Sequence, residues 1–193
     1  MKYLAIAVTI LVAVSTATVS AQYGPAIPAW VKPGLVVTYD GVSAFVNQYG
    51  RFKQGIQVVM TTRVNSVSGG RVSGVTQTQT VGTPLRGKFA WVCNAAADCT
   101  SDMPGTHGKF WVDPDHAVDS VKGPNGEPFK VVGQGPYSYN GRSWTATMLS
   151  YQNPQTGVQI NTTFDTKSGL ILAHSENSPA EQVHIYFRSM SAQ

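Results

Sequence analysis

From residue 35 to its end, the sequence is mostly short runs that alternate apolar with polar residues, each closed by a turn of glycine, asparagine or proline. Strand side chains point alternately to the two faces, so a run of period two builds a strand with one apolar and one wet face. In residues 56–65, Ile56, Val58, Met60 and Val64 share a face. Ser68-Gly69-Gly70 then turns the chain into the polar, β-prone run 71–81, which predicts a long hairpin. Asn140-Gly141 is a two-residue hairpin turn, since both residues accept positive φ, and it leads into a strand over 142–151. Strands follow at 158–165, 170–176 and 182–190, the first setting Val158, Ile160 and Phe164 against Gln159, Asn161 and Asp165.

The earlier half is less regular. A strand at 35–40 turns at Gly41 and returns over 42–47. Residues 88–93 and 109–112 make short aromatic strands around a loop at 94–108, and 129–132 makes another. One helix signal stands out. Asp113 caps, Pro114 fits the first helical position, and Gly123 stops a helix of about two turns near 114–121. The expected fold is mainly β: an antiparallel meander closing as a barrel, a sandwich or a curved sheet, with that single short helix.

The N-terminus reads as a secretory leader. Lys2 precedes an uncharged, mainly apolar run at 3–14, and residues 15–21 are small and polar. This predicts a signal peptide over 1–21, cleaved between Ala21 and Gln22, and a secreted or periplasmic product with no membrane span after its removal. An extended lead-in at 22–33 carries Trp30, and one β-rich domain fills 34–193. The chain has 193 residues, long enough for a sizeable core, and only 12% are charged, about half the usual share. In the oxidising space a leader implies, Cys93 and Cys99 are expected to pair, which would stabilise the fold by about 2 kcal/mol.

The run Phe164-Asp165-Thr166-Lys167-Ser168-Gly169-Leu170-Ile171-Leu172 resembles a strand–turn–strand of many exported bacterial proteins of unassigned function, and Phe110-Trp111-Val112-Asp113-Pro114 has a similar character. The strand pattern also loosely resembles periplasmic lipoprotein carriers of the LolA and LolB type, which hold more helix than this sequence offers. These resemblances imply an exported β protein and carry no functional residue.

Composition excludes some functions. The net charge is +4, but Arg51, Lys53, Arg63, Arg71, Arg86 and Lys88 are scattered, so no nucleic-acid footprint forms. There is no phosphate-binding loop, dinucleotide fingerprint or nucleophile elbow, and no cofactor is expected. His174, Glu176 and His184 would hold a metal only if strand register brought them together. Asp113, Asp115 and Asp119 are the densest acidic group, though capping accounts for the first. Asp40, Glu127, Asp165, Glu176 and Glu181 are the carboxylates from which a hydrolase would draw a pair. Asn161-Thr162-Thr163 is a glycosylation sequon.

The aromatics carry the functional expectation. Trp91, Trp111, Tyr137, Tyr139 and Trp144 combine flat area with a polar handle, which suits a sugar, a small apolar ligand or a protein partner outside the cytoplasm. The same residues also suit a core. The resulting reading is a non-enzymatic exported binding protein, with an envelope-assembly component and a hydrolase as alternatives. The secreted product is expected to start at Gln22 and to weigh two hydrogens less than the reduced chain. Intact mass and peptide mapping test this, and alkylation of two thiols without reductant would refute the disulfide.

Overall fold

The computed structural model describes residues 25–45, 55–82, 86–102, 109–120, 127–179 and 181–192. The expected leader and its cleavage site, residues 46–47 of the expected return strand, and Gly123 lie outside these. The strands are β1 (Leu35–Phe45), β2 (Ile56–Ser68), β3 (Arg71–Thr80), β4 (Arg86–Asn94), β5 (Cys99–Ser101), β6 (Lys130–Tyr139), β7 (Arg142–Gln152), β8 (Gln159–Asp165), β9 (Ile171–Asn177) and β10 (Glu181–Ala192). A 3-10 turn at Pro114–His116 runs into a one-turn helix α1 (Ala117–Ser120).

All ten strands form one antiparallel sheet in the order β5-β4-β3-β2-β1-β10-β9-β8-β7-β6. The sheet is curved and open, with β5 and β6 at its edges, so neither a barrel nor a sandwich forms. The chain starts at the centre, meanders out to β5, crosses to the far edge, and meanders back until β10 pairs with β1.

Two expectations need correction. Gly41 does not turn the chain; β1 runs straight through it. The glycine lies on the inner face, where a Cβ would meet side-chain carbons of Val58 and Ile185 at 3.0 Å. The missing side chain is required by close packing between strands. Residues 109–112 are not a strand of the sheet either. They make a single bridge, Trp111 to Leu170, flanked by Val112 N–H to Gly169 O at 2.8 Å and Ile171 N–H to Phe110 O at 3.0 Å. The pairing goes no further because Asp113 then caps the 3-10 turn at Pro114–His116.

That crossing organises the core. Phe110 packs edge-on against Trp30, Trp91 and Trp111, joining a cluster with Val37, Tyr39, Val64, Val72 and Leu172. Val112 and Ala117 enter a second cluster with Phe129, Leu149, Ile160 and Phe164. Trp91 is laid across β3 above Gly74, and its indole N–H donates to Thr76 Oγ1 at 3.1 Å; that hydroxyl shares a 2.8 Å bond with Thr62. Trp111 is fully buried, and its indole N–H has no hydrogen-bond partner among the described residues. Cys93 and Cys99 face each other across β4 and β5 and are joined, which ties the three-residue edge strand to the sheet.

Asp113 anchors the crossing. One of its oxygens accepts from Asp115 N–H at 3.1 Å, closing the 3-10 turn; the other accepts from Ala26 N–H at 2.7 Å and contacts the His116 ring at 3.1 Å. The lead-in is thereby strapped to the crossing, and Trp30 Nε1 donates to Ser168 O at 2.7 Å further along.

A Cβ at Gly74 would overlap both the Trp91 indole and the Arg63 carbonyl oxygen. Gly74→Ala is therefore expected to lower stability by about 2 kcal/mol or more, as overpacking that displaces a core tryptophan does. Urea unfolding measures it, and a loss well under about 1 kcal/mol would show that the sheet gives way easily there.

Burial pushes the Asp113 carboxyl up, but the Ala26 N–H, the His116 ring and the Asp115 N–H outweigh it and hold the group below its ordinary value. A carboxyl with a depressed folded pKa adds stability that is fully present above the unfolded value of about 3.9 and disappears as pH falls through the folded one. The gap in melting temperature between the native chain and Asp113→Asn should thus be widest near neutrality and shrink as pH drops below about 4. Thermal melts across that range test it; a gap that widens on acidification would contradict the sign.

Candidate aromatic site at the β6–β7 hairpin

The site begins with the Asn140-Gly141 turn. Both residues take positive φ, 50° and 72°, so the strands are joined as tightly as two residues allow. Pairing then places Tyr139 opposite Arg142, Ser138 opposite Ser143, and Tyr137 opposite Trp144. Alternation puts Tyr137, Tyr139, Arg142 and Trp144 on one face of the hairpin, with the rings of Tyr137 and Trp144 at 6.2 Å.

The hairpin is longer than its neighbour. β8 ends at Asp165, opposite Ala146, so residues 137–144 overrun it and reach β10. There the Tyr139 ring stacks on Tyr186 at 5.3 Å and 21°. Trp144 meets Phe187 edge-on at 5.9 Å, and the Arg142 guanidinium lies 5.8 Å from the centre of the same Phe187 ring. Phe187 in turn packs on the buried Tyr39 at 6.1 Å, which roots the cluster in the core. Next to Tyr186, register places Asp40 of β1, whose carboxylate accepts from Arg188 at 3.2 Å.

Tyr137, Tyr139, Trp144 and Tyr186 are each half-buried, and Arg142 is exposed. Burial, followed by the nearby Tyr186 and Tyr139, raises the Tyr137 phenol above its ordinary value. Rings held partly by packing, with hydroxyl and guanidinium groups at their edge, can stack a flat partner and hydrogen-bond its rim.

Of the five aromatics expected to bind, three meet here: Tyr137, Tyr139 and Trp144. The other two are corrected by burial. Trp91 and Trp111 are 2% and 0% exposed, so neither offers a face to solvent. Both lie in the core cluster, each edge-on to Phe110. Tyr186, Phe187 and Arg142 are not singled out by the sequence, and Asp40 is named there only among the hydrolase carboxylates. Only the register between the first and last strands and the overrun of β8 bring them in, and no local sequence signal encodes either.

The polar groups separate. His174 and Glu176 share the inner face, but His184 pairs with Ser175 and so faces the other way; the expected trio does not converge. His174 shares a 3.0 Å bond with Thr162 Oγ1. No cluster of three or more His, Cys, Asp or Glu poised for a metal occurs among the described residues. Asp113 serves as cap and strap, and the Asp119 side chain lies outside the described residues. Most of the carboxylates already carry structural bonds: Asp40 with Arg188, Glu127 with Tyr151, Asp165 with Ser168, and Glu181 with Ser43. Burial and the neighbouring Glu181 push the Glu176 carboxyl up. The sequon lies within β8, where Asn161 Nδ2 donates to Ser175 Oγ at 3.3 Å and both threonines are buried.

Two shallow hollows lie among the described residues. One of about 210 Å³ lies between the 3-10 turn and Val131, Gln134, Thr147 and Phe164. The other, about 280 Å³, lies between Trp30, Lys32 and the end of β10. Among the described residues, no helix is long and apolar enough to cross a membrane.

No protein-family model matches the chain, and neither does any curated relative. Solved structures with a similar fold exist. One is a protein from Bacteroides fragilis described as exported and having a YMCC-like fold; it is 10% identical, with 83% of this chain and 96% of that one covered at a TM-score of 0.42. Another is a DUF1329 family protein from Desulfovibrio piger, also 10% identical, covering 82% of this chain and 85% of that one at a TM-score of 0.27.

Proposed function

We propose that this is an exported, non-enzymatic binding protein that holds a saccharide on the aromatic cluster of β6, β7 and β10. The observation that carries the reading is the Tyr139–Tyr186 stack, continued by Trp144 and Tyr137 and bordered by Arg142 and the Asp40–Arg188 pair. Sugar rings offer C–H faces that stack on aromatics and hydroxyl edges that bond to phenols and charged groups, so this combination matches their chemistry. A small apolar ligand would call for a deep dry cavity, and the two hollows of about 210 and 280 Å³ are shallow. Catalysis would call for a base and a nucleophile in mutual reach, whereas these carboxylates serve caps, turns and strand pairs. Export is supported by the leader-like residues 1–21 and by the disulfide.

The test is a titration of intrinsic tryptophan fluorescence with neutral oligosaccharides and, separately, with fatty acids. The expected result is a shift with one or more saccharides and none with fatty acids. Tyr186→Ala and Trp144→Ala should each weaken that binding by about tenfold or more, the size of one lost stacking partner. Melting curves identify variants that merely unfold. A response to fatty acids alone would move the site to the inner face of the sheet. No response to either would overturn the reading in favour of an assembly role.

A further inference from the structure

We propose, resting on the saccharide reading, that the preferred ligand is an acidic saccharide whose carboxylate is taken by Arg142. The cluster contains two guanidinium groups against one carboxylate. Asp40 is engaged by Arg188, and no carboxylate pairs with Arg142 among the described residues. Phe187 lies under the Arg142 guanidinium, and the residue's exposure leaves its N–H edge facing solvent. A guanidinium resting on a ring keeps its planar fork of donors in a limited set of orientations. The fork matches a carboxylate in two parallel bonds, which ammonium groups cannot reproduce.

Neighbouring charges favour this. Asp165, which the hairpin passes, is occupied by the N–H and hydroxyl of Ser168. Glu176 pairs with Val183, four residues along β10 from the Phe187 ring that Arg142 overlies. Asp40 sits on the Tyr186 face but is neutralised by Arg188. A neutral sugar chain would leave Arg142 without a counter-charge, whereas a uronate would supply one at hydrogen-bond range while its ring stacks on the tyrosines. The tight turn, the Tyr139–Tyr186 stack and the Trp144–Phe187 contact fix the strands beside Arg142, and the Phe187 ring lies 5.8 Å from its guanidinium, which lowers the ordering cost of binding.

The experiment uses the full mature chain and a matched pair of ligands: a galacturonic-acid oligomer and the same oligomer with its carboxylates methyl-esterified. Calorimetry should show the acid form binding about tenfold or more tightly. The difference should narrow as sodium chloride rises from about 0.05 to 0.5 M, because salt screens a solvent-exposed charge pair. Arg142→Gln should erase the preference and leave the esterified form bound as before. Lys88→Gln, on distant β4, should leave the preference intact. Equal or tighter binding of the ester, or an Arg142→Gln chain that still prefers the acid, would overturn this inference while the saccharide reading stands. A loss of preference in Lys88→Gln equal to that in Arg142→Gln would also overturn it, as a diffuse charge effect. Failure of both oligomers, together with failure of the neutral panel, would overturn both.

Discussion

Pairing between the first strand and the last holds this molecule together. Leu35 meets Ala192 and Phe45 meets Glu181 along eleven residues of β1, and two meanders hang from that central seam. All other neighbouring strands are consecutive in sequence, but β1 and β10 are the most distant strands in the chain. Their closure must overcome the loop entropy of almost the whole chain before it is rewarded. The residues at the seam suit that task. Val37 and Tyr39 are fully buried, Tyr39 packs on Phe187 and donates its hydroxyl to Ile171 O, and Gly41 lets Val58 and Ile185 close over it. The outward side of the same seam carries Asp40 and Tyr186, so one pairing event sets the core and half of the candidate site.

An open sheet that starts and ends at its centre must send the chain from one edge to the other. The crossing does this over the inner face, where backbone polar groups would be left unsatisfied in an apolar layer. Among the described residues, the structure meets that cost at 110–113. Phe110 and Val112 exchange backbone hydrogen bonds with Ile171 and Gly169, and Gly169 is placed so that any Cβ would strike the Val112 carbonyl. Asp113 then satisfies the turn and the lead-in together. The buried Trp111 indole N–H is the unresolved part, a group whose burial without a partner costs about 1–3 kcal/mol.

How much of this the sequence disclosed follows from how local each determinant is. Hairpins at Ser68-Gly69-Gly70 and Asn140-Gly141, the Asp113-Pro114 cap and the period-two strands were all readable, because their signals lie within a few residues. Gly41 was misread because glycine has two uses, turning and close packing, and only the neighbouring strands decide between them. The tryptophans divide on the same ground. Trp91 is buried because Gly74 lies across from it, and Trp144 is half-exposed because β8 stops short. His184 was separated from His174 and Glu176 by register, a one-residue matter that flips every side chain on the strand. Tyr137, Tyr139 and Trp144 were legible as a group from the hairpin alone. Tyr186, Phe187, Arg142 and Asp40 were not, since their place depends on two strands distant in sequence.

The overrun of the β6–β7 hairpin is what distinguishes a site from an ordinary wet face. Elsewhere the exposed side chains of the sheet include Thr, Ser, Gln and Asn interspersed with single apolar residues such as Val42, Val92 and Met148. At the hairpin tip, Tyr137, Tyr139, Arg142 and Trp144 gather against Tyr186 and the buried Phe187 of β10. Positions 137, 139, 142, 144 and 186 could carry threonine or serine without loss of strand pairing, as Ser138 and Ser143 between them show with their own 2.9 Å contact. Aromatic rings kept half in solvent give up part of the hydrophobic stabilisation that full burial would supply, about 25 cal/mol for each Å² left exposed. A ligand that covers those faces recovers it. The Tyr39–Phe187 root fixes the rings against the core, so that recovery requires little further ordering of the protein. That recovery is the physical ground of the proposed capture of a flat partner.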